Sequence, residues 1–231
     1  MQALRRITCC LALATGSAAA DPLQAIFSDP TTRYTHGVLG DAVEWGSLTI
    51  TADGKSLRVV LPQDRVFEDI APRLWDITGD GQPEIVVVET QVQQGAQLAI
   101  YDRTGTKIAA TPHIGQAQRW LAPVGAADMD GDGAIEIAYV DRPHLAKLLK
   151  VWRFDAGQLS QVAELPNLTN HRIGQDFITG GVRNCGGDPT LIVVSGDWRT
   201  IMQVTYAGDG YEAVSLGPFE GQASVRNALG C

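Results

Sequence analysis

The densest chemistry in the chain is one nine-residue run, Asp128-Met129-Asp130-Gly131-Asp132-Gly133-Ala134-Ile135-Glu136. It sets oxygen side chains at positions 1, 3, 5 and 9 and leaves the Ala134 backbone carbonyl at position 7. Calcium takes about six to eight oxygens in a flexible shell, and this spacing wraps such a shell around one ion. Glycine at position 6 permits the sharp bend that turns successive oxygens inward. A second run, Asp76-Ile77-Thr78-Gly79-Asp80-Gly81-Gln82-Pro83-Glu84, repeats the pattern with the Gln82 carbonyl at position 7. There Thr78 replaces a carboxylate and lowers the charge count that sets affinity. Position 12 is Tyr139 in the first run and Val87 in the second, so neither supplies the bidentate glutamate of an EF-hand. An acidic hairpin turn without metal is the plain alternative for both.

The elements that position these loops recur along the chain. Four alternating segments are each followed by a turn glycine, another strand and a proline: Ser47 to Thr51, Gln97 to Tyr101, Leu149 to Arg153 and Ile201 to Thr205. The turn glycines Gly54, Gly105, Gly157 and Gly210 are 51, 52 and 53 residues apart. The prolines Pro62, Pro112, Pro166 and Pro218 keep a similar period, with gaps of 50, 54 and 52. Two independent markers sharing one period four times define a repeat. Upstream strands are expected at Thr35 to Leu39, Glu84 to Val88, Glu136 to Val140 and Thr190 to Val194. First strands are expected at Ala25 to Phe27, Arg73 to Trp75, Val124 to Ala127 and Ile173 to Phe177. Only Arg142 to Val151 has a helix-like composition, and Pro143 together with the repeat register argues for a strand in its second half.

Each unit of about fifty residues is therefore expected to be a four-stranded antiparallel meander, all-β throughout, over residues 25–70, 71–121, 122–172 and 173–231. Such a unit cannot bury both faces alone, and radial stacking into a four-bladed β-propeller solves that problem. A β-sandwich with Greek-key links is the competing arrangement.

Residues 1–20 have the order of a cleavable export signal: Arg5-Arg6, a short apolar run from Ile7, then small residues ending Ala18-Ala19-Ala20. Cleavage before Asp21 would leave 21–231 as a single domain, and a buried first helix is the alternative. Of the 18 basic residues Arg5 and Arg6 would be lost, leaving 16 against 26 acids, a balance of −10. That excess of acid excludes nucleic acid and anionic membrane surfaces as natural partners. No stretch after residue 20 is long and apolar enough to span a bilayer. Cys185 and Cys231 are the two cysteines left, and an oxidising compartment, periplasmic or extracellular, favours their pairing.

In a propeller the calcium loops, between first and second strands, share one face, and the other links meet on the opposite face. That second face gathers Trp45, Arg119-Trp120, Asp141-Arg142, His144, His171-Arg172 and Trp198-Arg199. Aromatics beside arginine, histidine and carboxylate suit recognition of a protein or a glycan. The alternative is that these tryptophans pack between blades and the charges belong to solvated turns. His144 and His171 could act as an acid–base pair, but no nucleophile or zinc motif accompanies them.

At Asp128 to Glu136, and less closely at Asp76 to Glu84, the chain resembles the FG-GAP/VCBS repeats, the calcium-loop propeller repeats also found in integrin α-chain heads. The resemblance implies a propeller with calcium held in hairpin loops on one face, and binding or scaffolding more often than catalysis. The family usually ends the motif in Asp where this chain has Glu136 and Glu84. The resulting expectation is a secreted, monomeric, non-catalytic module whose partner docks on the link face. An envelope enzyme acting on a polysaccharide or another polymer through that face is the alternative.

Overall fold

Alternating and unbroken apolar runs become strands almost everywhere in the computed structural model, which describes residues 22–231; the expected leader lies outside the described residues. In chain order the strands are β1 (Gln24–Thr31), β2 (Glu44–Ala52), β3 (Lys55–Val60), β4 (Arg65–Phe67), β5 (Arg73–Trp75) and β6 (Glu84–Gln91). Then come β7 (Gly95–Tyr101), β8 (Lys107–Ala110), β9 (Leu121–Ala127), β10 (Ile135–Asp141), β11 (Leu148–Asp155) and β12 (Gln158–Leu165). The last are β13 (Leu168–Thr169), β14 (Gly181–Arg183), β15 (Thr190–Ser195), β16 (Thr200–Tyr206) and β17 (Tyr211–Pro218), followed by one helix, α1 (Gln222–Leu229). Every strand pairing is antiparallel.

How the sheets stack follows from strand alternation. Successive side chains on a strand point to opposite faces. On β6, Ile85 and Val87 enter one buried cluster and Val86 and Val88 another. On β10, Ile137 and Tyr139 divide in the same way from Ala138 and Val140. On β15, Leu191 and Val193 divide from Ile192 and Val194. The clusters are thus the spaces between sheets: β1–β3 against β5–β8, β5–β8 against β9–β12, and β9–β12 against β14–β17. Each central sheet is apolar on both faces because each is covered on both.

The two ends of the stack are finished differently. The outward face of the last sheet, with Ile192, Val194 and Ile201, packs on α1 through the buried Val225. The outward face of the first sheet is open and mixed: the Ser28 and Thr49 hydroxyls meet at 3.0 Å, Arg58 lies opposite Thr49 in register, and Ile26 and Val60 stand exposed beside them. Between neighbouring sheets the approach is close. At Gly125 of β9 a Cβ would lie 2.3 Å from Val182 Cγ2 of β14, so only glycine fits there.

Several expectations need correction. The hydrogen-bonded sheets have eight, four and five strands, and none is closed. Only β9–β12 is a separate four-stranded meander. The short β4 pairs with both β2 and β6 and so joins the first two groups into one network. Thr35 to Leu39 is not a strand. Gly37 and Gly40 take positive φ on either side of Val38, and the Val38 carbonyl accepts the Gly174 N–H at 3.0 Å. Ile173 to Phe177 is likewise a loop, because β13 and β14 flank it on either side. Arg142 to Lys147 is a turn leading into β11, in keeping with the argument from Pro143 and the repeat register against a helix there.

Candidate functional site

The two acidic loops fold alike. In the first, the Asp76 carboxylate accepts N–H bonds from Gly79, Asp80 and Gly81, and Glu84 accepts from Ile77 and Thr78. In the second, Asp128 accepts from Gly131 and Gly133, and Glu136 accepts from Met129. Glycines at positions 4 and 6 have φ between 73° and 91° in both loops, and a Cβ there would meet nothing within 4 Å. Left-handed backbone, not lack of room, therefore requires them.

Their donor sets differ. Asp128, Asp130 and Glu136 each present an oxygen within 4.8 Å of the others. That cluster of hard oxygens in a glycine-bent loop fits a calcium-sized cation. The fit has a rival inside the chain, since Arg153, opposite Glu136 on β11, reaches the same carboxylates. Its guanidinium bonds Glu136 at 2.8 Å and Asp132 at 2.9 Å, and also contacts Asp130. Around Asp76, Thr78, Asp80, Gln82 and Glu84 no third carboxylate converges in this way among the described residues. Asp80 caps the Gln82 N–H, and the Gln82 side chain accepts from Arg103. One register step beyond the Ile85–Tyr101 pair stands Asp102 where the other loop has Arg153.

Away from these loops, a cavity of about 210 Å³ opens among four connections. Its walls come from the β1–β2 loop (His36, Val38), the β8–β9 link (Arg119, Trp120), the β10–β11 turn (Arg142, His144) and the β13–β14 loop. Trp120 is 2 % exposed and donates its indole N–H to the Glu68 carbonyl at 2.8 Å. Its ring stacks parallel to His144 and meets His171 edge-on. Two non-glycine residues of the lining, Gln118 and Arg142, have positive φ, a conformation that persists only where surrounding contacts enforce it. For Gln118 one such contact is its N–H bond to the Tyr34 hydroxyl, 2.8 Å.

The tautomers of the histidine pair follow from its partners. His171 Nε2 faces the Gln175 carbonyl at 2.9 Å, so that nitrogen carries the proton and donates it. Neutral His171 therefore accepts at Nδ1, and His144 Nε2 donates to it across 2.9 Å. Burial, then the neighbouring His171, lowers the His144 pKa to about 4. Burial also lowers that of His171. Beneath them His36 Nδ1 meets Glu68 Oε1 at 2.6 Å, and the Thr90 hydroxyl donates to Glu68 Oε2. Burial raises the Glu68 carboxyl, which is fully enclosed.

Glu44, 3 % exposed at the start of β2, has its pKa pushed up to about 9, by burial first and then by Glu68, Asp41 and Asp69. An acid raised in the folded state holds its proton more tightly there than in the unfolded chain. Its contribution to stability is full below the ordinary value of 4.5 and is lost as pH climbs toward 9. Glu44→Gln should therefore gain stability over the parent at pH 8 relative to pH 5. Urea unfolding of both proteins at the two pH values checks this, and an equal difference at both would refute it.

The ten residues expected on the link face separate into groups. Arg119, Trp120, Arg142 and His144 line the cavity, and His171 packs directly behind it. Asp141 is buried, holding Arg142 through two bonds and Lys150 through one. Arg172 instead lies over the Trp198 ring, 4.2 Å from its centre, and Trp198 packs on Phe219. Arg199 is an exposed turn residue beside Asp197. Trp45 is not in a link at all: it pairs within β2 and stacks on Phe27. His36, Val38, Leu145 and Ile173 were absent from the expected set yet line the cavity. Three of them, His36, Val38 and Ile173, lie in the two stretches read as strands. Cys185 and Cys231 form a disulfide.

The family model for the FG-GAP-like repeat matches residues 76–139, from the first residue of one acidic loop, through the second, into β10. The chain carries an FG-GAP-like repeat. The match takes in both acidic loops and the strands between them. No curated protein matches the chain. The FG-GAP-like stretch also contains Trp120, so one segment contributes to both the acidic loops and the cavity.

Proposed function

We propose that this protein is an exported, non-catalytic binding module of the propeller type, with calcium-stiffened turns at one site and a ligand cavity at another. The cavity carries the reading, because loops from all four strand groups converge on it and leave apolar surface open. Leu145 and Ile173, at its mouth, are 65 % and 71 % exposed. The FG-GAP-like repeat supports the binding class and the propeller type, here strand groups packed face to face with α1 on the last of them. The disulfide favours an oxidising compartment. Among the described residues no helix is long and apolar enough to cross a membrane.

The residues that would hold calcium are Asp128, Asp130, Asp132, the Ala134 carbonyl and Glu136, with the Asp76 loop a weaker counterpart. The histidine pair argues for binding over catalysis. With its pKa near 4, His144 is a poor base at neutral pH, and among the described residues no serine, cysteine or carboxylate lines the cavity to be activated.

A small-molecule screen read by amide and indole resonances of the isotope-labelled protein tests the assignment. Hits should perturb the Trp120 indole together with Val38, Leu145 and Ile173. A screen whose hits scatter, or fall elsewhere, would remove the cavity from the proposal.

A further inference from the structure

We infer that the cavity takes a carboxylate carried on an apolar group about the size of one ring, an assignment that rests on the binding reading above. Charge is the first argument. The chain has 26 acidic and 18 basic residues, yet among the described residues no acid lines the cavity while two arginines do. Arg119 has no carboxylate within 4.0 Å among the described residues, and its side-chain bond goes to the Gln118 carbonyl. Arg142 gives Nε and Nη2 to Asp141 and keeps Nη1 unspent. A guanidinium fork with free donors is matched by the two oxygens of a carboxylate.

The apolar part of the ligand follows from the walls. Val38 and Trp120 are buried at 3 % and 2 % exposure, and Leu145 and Ile173 stand open above them. Covering those two side chains removes apolar surface from water, which favours a ligand with an apolar body. The size follows from the volume. A cavity of roughly 150 Å³ holds benzene, and this one, at about 210 Å³, has room for a ring and a short acidic arm. His144 adds a neutral aromatic face rather than a third cation, so the arginines carry the attraction, Arg119 foremost because Asp141 already offsets the charge of Arg142. A free aromatic acid and the C-terminal residue of a peptide share this chemistry.

Four probes separate the outcomes: 3-phenylpropionate, its neutral amide, a tripeptide ending in phenylalanine, and the same tripeptide amidated. Binding is followed on the Trp120 indole resonance and by calorimetry. The acid should bind at least about ten-fold tighter than its amide, the worth of one charge-assisted hydrogen bond. Arg119→Gln should remove that advantage, weakening the acid at least about ten-fold and the amide much less. Arg119 is partly exposed, so the variant is expected to fold, and Arg142→Gln provides the second test. Binding of the free acid supports a small-molecule source, and binding of only the free-ended peptide supports a chain terminus. Equal affinity of acid and amide, or an Arg119→Gln variant with unchanged acid affinity, overturns the carboxylate assignment and leaves the binding reading standing. Silence of Trp120 toward all four probes and toward the wider screen overturns both.

Discussion

Replacing Cys185 and Cys231 together by serine should destabilise the protein by about 4 kcal/mol, the loop-closure entropy of a crosslink spanning 46 residues. In a chain of this size that corresponds to a fall in Tm of roughly 8–16 °C. The bridge fastens the last residue to the loop before β15 and encloses β15–β17 and α1. An eight-residue helix is too short to persist by itself in water. Its place on the last sheet depends on Val225, Ala228 and Leu229 packing around Ile192, Val194 and Ile201, and on the tether that keeps it near. Without the tether, α1 should fray first and leave that face uncovered. The double serine variant should then show faster amide exchange in 222–229 than in β6 or β10, alongside the lower Tm. A drop below about 1 kcal/mol, well under the usual range for such bridges, would mean that the helix holds its place by packing alone.

What could be read in advance divides along a physical line. Strands covered on both faces announce themselves, since Ile85 to Val88 and Leu191 to Val194 have no polar alternate. Three of the four turn glycines were equally legible: Gly54, Gly105 and Gly157 take φ of 69° to 80° at hairpin bends, where a side chain is strained, whereas in the last hairpin Gly208 rather than Gly210 takes positive φ. The acidic loops were legible because their chemistry is local, with every donor inside nine residues. The cavity was not, because it is assembled from four separate connections. Val38 looks like a strand residue by composition, and only its burial against Trp120, with Gly37 and Gly40 bending the backbone, makes it a wall. Trp45 failed in the opposite sense, since its place near a predicted link concealed its pairing with Pro30 in the β1–β2 ladder. Helix α1 gave little warning. It buries only Val225 fully, and it follows Pro218, the last of the repeat markers.

The largest conditional effect is expected at the Asp128 loop, where Arg153 and calcium compete for the same oxygens. Without the ion, the guanidinium offsets repulsion among Asp130, Asp132 and Glu136, all three of which it contacts. Burial already pushes the Glu136 carboxyl above its ordinary range, and the Met129 N–H and Arg153 oppose that shift. Calcium at about 100 times its dissociation constant would add about 2.7 kcal/mol of stability, or roughly 5–10 °C in Tm at this chain length. Asp130→Ala should abolish most of that response. Arg153→Gln should do the reverse: it lowers Tm in chelator, where the carboxylates lose their internal cation, and enlarges the rise on adding calcium. The two variants thus move the calcium response in opposite directions, which a generic loss of stability cannot do. Thermal melts of the parent and both variants, in chelator and in millimolar calcium, decide the matter. A parent Tm indifferent to chelator would leave Arg153 as the cation that closes the loop. In that case Arg153→Gln should lower Tm equally in both buffers.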